Sequence, residues 1–107
     1  QQMQHQMQQM QHQMQQMQET LERKITIESE RNMNRSRRST SDPIAKLIRV
    51  NDGQYPQDND WPFANQNELE SATGNRIHPL LVFYGLPVTG SLVERKGRLK
   101  MHLGVVL

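Results

Sequence analysis

The chain has 107 residues, 22% of them charged, no cysteine and a formal net charge of +2. Disulfide staples and thiolate zinc sites are excluded, and no apolar run approaches the roughly 20 residues needed to cross a bilayer. The first 18 residues hold eleven Gln, five Met, two His and no charge, which leaves material for one small domain with a limited core.

Charge alternates along the chain. Residues 19–30 sum to −2, residues 31–49 to +5, residues 50–75 to −5 and residues 76–107 to +4. Two basic blocks flanking an acidic one can steer a polyanion to one surface or fold one part of the chain onto another. No basic-then-apolar leader is present, so secretion is not expected. An opening Gln is the expected appearance of a piece of a longer protein.

Three units are expected: a Gln/Met-rich heptad arm over 1–21, a charged helix and basic linker over 22–42, and a small helical domain over 43–107. The expected fold is all-α, with an irregular aromatic-rich segment and a low-complexity arm that is either helical or disordered.

In the arm, residues 3–16 repeat the unit MQHQMQQ twice. Met3, Met7, Met10, Met14 and Met17 therefore alternate spacings of four and three, and Leu21 continues the series. That is the period of a coiled-coil seam, and Gln and Met both tolerate helix. Two readings stand: self-association through residues 3–21, or a mobile low-complexity tract. Methionine specifies a partner poorly, and no flanking charge fixes orientation. Lys24 and Glu28 take the next seam positions, so the seam ends at Leu21. His5 and His12 share a helical face without a carboxylate neighbour, which makes a poor metal site.

Residues 19–38 can prolong the helix, because acidic residues come early and arginines late. The β-branched run Ile25-Thr26-Ile27 opposes continuity. Residues 35–42, RSRRSTSD, hold no apolar anchor and read as an exposed linker. Ser41-Asp42-Pro43 is a helix start signal. It predicts a short helix with Ile44, Leu47 and Ile48 on one face, stopped at Asn51-Asp52-Gly53.

Residues 54–64 carry Tyr55, Trp61 and Phe63 among prolines. These rings are expected to enlarge the core, the alternative being a stacking or peptide-gripping platform. Asn65 and Glu68 have capping-box spacing, which predicts a helix ending near Gly74-Asn75. Pro79 is expected in the first turn of another, with Leu80, Leu81, Phe83 and Tyr84 as its apolar surface and Gly85 as its end. Beyond Gly90, Leu92, Leu99 and Leu103 recur at helical spacing, with Arg95, Arg98 and His102 on an adjacent face. Lys96 and Lys100 form an i,i+4 pair.

Gly85-Leu86-Pro87, then Gly90-Ser91, then Arg98-Leu99 eight and nine residues after the second glycine, resemble the SAP module of chromatin and RNA-processing proteins. The likeness covers residues 79–103 and implies two helices joined by an elbow. It also implies weak binding of nucleic acid, DNA rather than RNA, in the nucleus. Ser91, Arg95 and Arg98 are the implied contacts, with Lys96 and Lys100 as supporting charges. The chain departs from the pattern at Leu92, where the family has Lys, and at Arg95, where it has an apolar residue. In physical terms, amides near Ser91 can meet a phosphate and the cations can neutralise its neighbours, which gives affinity without sequence reading.

Arg38-Ser39-Thr40-Ser41-Asp42-Pro43 is similar to the ligand motif of the phosphoserine-binding 14-3-3 adaptors, which makes Ser41 a candidate phosphorylation site. No cofactor and no membrane partner are expected. Catalysis is not expected either: Asp58 and Asp60 sit in a polar loop, and His78 precedes a proline. The alternative function is a protein-interaction or oligomerisation scaffold built on the Met seam and the aromatic segment.

Overall fold

The computed structural model describes residues 2–61 and 63–106. One helix, α1 (Gln2–Arg35), runs for 34 residues, about 50 Å at the usual rise, and sets the longest dimension of the molecule at 61 Å. It passes without interruption through Ile25-Thr26-Ile27. The β-branched run is tolerated because Ile27 is buried in the core and repays the propensity loss through packing.

The remaining helices are short: α2 (Gln66–Glu70), α3 (Gly74–Phe83) and α4 (Leu92–Leu103), preceded by a 3₁₀ turn at Asp58–Asp60. No strand occurs among the described residues; a single bridge joins Pro43 to Asn65. The fold is all-α, as expected, and α3, an elbow and α4 form its helix–elbow–helix part. Leu69, Ile77, Leu80, Leu81, Leu99 and Leu103 are fully buried in its core. Trp61 and Phe63 are buried there too, ring edge to ring face at 5.7 Å, in agreement with their expected core role. Tyr55 does not join them: it is exposed, its hydroxyl donating to Glu30 Oε2 at 2.7 Å.

Several local expectations are corrected. No helix forms after Pro43; residues 44–49 are irregular, although Ile44, Leu47 and Ile48 are buried. Side chains of α1 supply the hydrogen bonds a helix would have supplied. The Ala45 amide donates to Asn34 Oδ1 at 2.7 Å, and the Ile48 amide donates to Glu30 Oε1 at 3.1 Å. The basic linker is not wholly exposed. Arg37 is buried, donating to the Asp42 and Ser39 carbonyls and to Gln66 Oε1.

The Asn65 cap forms as expected, accepting from the Glu68 amide at 3.1 Å, while the Glu68 carboxylate accepts from the Ala64 amide. The next helix begins at Gly74, where a stop was expected, and Pro79 lies inside it. Gly85 closes α3 with φ +68°, and the Leu86 amide reaches back to the Leu81 carbonyl at 2.8 Å. Gly104 ends α4 in the same way, with Val105 bonding back to Lys100.

Candidate functional site

Two surfaces compete for function. One is the basic side of the elbow and α4, where the sequence places its nucleic-acid contacts. The other is the projecting half of α1.

On the first surface, Ser91 caps α4, its hydroxyl accepting from the Glu94 amide at 3.1 Å. The Glu94 carboxylate folds back over Gly90, so close that a Cβ there would meet Oε2 at 2.6 Å. An acidic group of the chain itself thus sits beside the helix start that a phosphate would approach. Arg98 is half-buried and donates to the Pro87 and Thr89 carbonyls of the elbow. Lys96 donates to the Glu70 carbonyl, and Lys100 pairs with Glu70 Oε1 at 2.7 Å. The Lys100 ammonium, with help from Gln66, holds the Glu70 carboxyl below its ordinary range. Four of the five expected contacts, Ser91, Lys96, Arg98 and Lys100, are therefore engaged inside the molecule.

Arg95 differs. Its guanidinium lies over Gly74 at the start of α3, 3.4 Å from where a Cβ would stand. Arg76, exposed in the first turn of α3, is near in sequence to the same helix start. Neither forms an ion pair among the described residues, and α3 has no acidic residue in its first turn. Arg76 was not singled out from sequence, because nothing in its local pattern marks it.

A cleft of about 410 Å³ opens between α1, the 48–51 turn and the ends of α3 and α4. Its apolar walls include Ile27, Ile48, Phe83 and Tyr84. Its guanidiniums are committed. Arg31 donates to the His102 carbonyl at 2.7 Å and to Glu28, while Arg49 grips Asp52 and stacks on Phe83 at 4.5 Å. Arg49 lowers the Asp52 carboxyl to about 2. Burial, with the nearby Arg31 charge, lowers the His102 imidazole to about 4. Burial also raises the Tyr84 phenol, which donates to the Leu47 carbonyl at 2.8 Å.

The second surface is simpler. Met3, Met7, Met10, Met14, Met17 and Leu21 are all exposed, Met3 at 78% and Met14 at 66%. They form one stripe along α1, on the stretch that extends beyond the folded core. Among the described residues, His5 and His12 bond to Gln9 and Gln16 one turn on. Among the described residues there is no group of metal-ligating side chains, and no helix is long and apolar enough to cross a membrane.

Ser41 is exposed, and its hydroxyl lies 2.9 Å from that of Ser39. The surrounding turn is closed: Asp42 Oδ2 accepts from the Arg38 and Ser39 amides.

Comparison with known proteins returns no match. No family model fits the chain, and neither a curated protein nor a solved structure shows significant similarity to it.

Proposed function

We propose that this protein is a non-catalytic assembly module whose α1 arm joins it to another helix. The observation that supports this reading is the stripe from Met3 to Leu21, six apolar side chains at heptad spacing, all in water, on a helix with no charged residue before Glu19. Helices in proteins draw most of their stability from packing an apolar face, and contiguous apolar exposure of this kind marks an interaction surface. Packing the stripe against a second helix removes that exposure and stabilises the arm. The folded part roots the arm and fixes its direction.

Light scattering of the full chain over a concentration series tests this reading. The mass should rise toward that of a dimer, and a variant carrying Met7→Gln, Met10→Gln and Met14→Gln should stay monomeric, since Gln keeps helix propensity but removes the apolar seam. A monomer at every concentration would refute it.

A second reading is weak nucleic-acid binding in a nuclear setting, with Ser91, Arg95, Lys96, Arg98 and Lys100 as contacts. It is favoured by Arg95 and Arg76, cations with no ion pair among the described residues, around the positive end of α3. Lys96, Arg98 and Lys100 would have to exchange internal partners for phosphate. Titration with duplex and single-stranded oligonucleotides at two salt concentrations tests it. Binding that weakens with salt and is lost on joint Arg76→Ala and Arg95→Ala substitution would support it; no binding at low salt would remove it. We also propose phosphorylation of Ser41 and capture by a phosphoserine adaptor, for which the closed turn would have to open so that an extended peptide can be gripped.

A further inference from the structure

The seam of the arm reads the same in both directions. Set residue n of one chain against residue 24 − n of a second copy, and Met3 meets Leu21, Met7 meets Met17 and Met10 meets Met14. Each chain then contributes all six seam residues, and every one faces a seam residue of the other. Resting on the self-association reading above, we infer that the partner of the arm is a second copy of this chain, paired antiparallel in this register.

The opposite orientation also aligns the six residues, so other features must choose. In a parallel pair, the layers after Leu21 place Lys24 on Lys24 and Glu28 on Glu28, like charges directly opposed. The next seam position is Arg31, whose guanidinium is held by the His102 carbonyl at 2.7 Å. The folded core therefore blocks a parallel helix where the seam would continue. Parallel pairing also sets the two positive ends of α1 side by side.

Net charge points the same way. Glu19 is the sole charged residue before residue 22, so the remainder of the chain carries +3 against the total of +2. Parallel pairing brings two such cationic bodies together. Antiparallel pairing sends them to opposite ends of the rod, with the two Asn34 anchors roughly 65 Å apart along the axis, several Debye lengths in physiological salt. The arm itself carries a single charge, at Glu19, off the methionine seam, and so opposes neither orientation. What decides is everything attached to it.

The chain has no cysteine among its described residues or elsewhere in its sequence, so introduced thiols report without background. Full-length Met7→Cys and Met17→Cys chains are oxidised with diamide, each alone and as an equal mixture. A mixed disulfide between the two variants, with little homodimer from either alone, is expected. To leave the seam intact, spin labels are placed at Gln4→Cys in a second sample. The antiparallel register puts two such labels about 24 Å apart along the axis, whereas parallel helices put them within about 15 Å. Disulfide from Met7→Cys alone together with the short label distance overturns the antiparallel register but leaves self-association standing. Absence of any associated species by light scattering overturns both.

Discussion

The Asn34 carboxamide donates to the Leu103 carbonyl across 2.7 Å, tying α1 to the last turn of α4. The same group donates to the Ala45 carbonyl at 3.1 Å and accepts from the Ala45 amide at 2.7 Å. One side chain, almost wholly buried, thus joins three segments far apart in sequence. This is what roots the arm. Asn34→Ala should cost about 2–4 kcal/mol, because it strands polar groups in the interior. Asn34→Asp should not rescue, since it keeps an acceptor but loses both donors. Urea unfolding of the two variants checks the expectation.

Gly97, in the middle of α4, and Gly104, at its C-terminal cap, should respond oppositely to alanine. Gly104 has φ +80°, and a Cβ there would meet the Arg31 carbonyl oxygen at 2.8 Å. Strain and backbone collision combine, and Gly104→Ala should destabilise by about 2 kcal/mol or more. Gly97 faces open space in α4, so Gly97→Ala should stabilise by about 1 kcal/mol. Thermal melts measured side by side test the pair.

His102 gives the fold a pH dependence of known sign. Its folded pKa, about 4, lies below the ordinary 6.5 because burial and, next, the Arg31 charge disfavour the imidazolium. Between these values the unfolded chain binds more protons. Stability complete above about pH 6.5 should therefore fall as the pH drops toward 4. The neighbouring Arg31 Nη2 lies 3.3 Å from Nδ1, as suits a neutral ring. His102→Gln should flatten the slope between pH 6.5 and 4.5, before the carboxylates titrate. Urea midpoints across that range measure it.

Glu70 tests whether the basic side of α4 has a use. Its carboxylate holds Lys100, and its carbonyl holds Lys96. If the nucleic-acid reading is right, Glu70→Gln frees Lys100 and steepens the salt dependence of oligonucleotide binding by about one phosphate contact. An unchanged slope in a titration over several salt concentrations would show that Lys100 takes no part.

Where the sequence carried local instructions, they were readable. Asn65 caps a helix, Gly85 ends one, and the spacing from Gly85 to Leu99 gives two helices about an elbow. Trp61 and Phe63 had no better place than the core. What failed depended on distant partners. Ile44, Leu47 and Ile48 fit a helix by spacing alone, but Asn34 and Glu30 claim the Ala45 and Ile48 amides from another part of the chain. Arg37 looked like linker charge until three acceptors closed around it. The arm's period was legible. Helix continuity through Ile25-Thr26-Ile27 was not, because it rests on burying Ile27. The four expected cations were visible as charges, whereas the carbonyls and carboxylate that engage three of them lie on other elements.

The self-association claim can be read at each of the seven methionines at once. Brief peroxide treatment of the full chain, dilute and concentrated, followed by mass spectrometry of each peptide, gives the oxidation rate residue by residue. Met33 and Met101 are exposed at 62% and 81% but lie off the seam, and serve as internal controls. The expected result is that Met3, Met7, Met10, Met14 and Met17 slow as concentration rises while Met33 and Met101 do not. Equal rates for all seven at every concentration would contradict burial of the seam against a second copy.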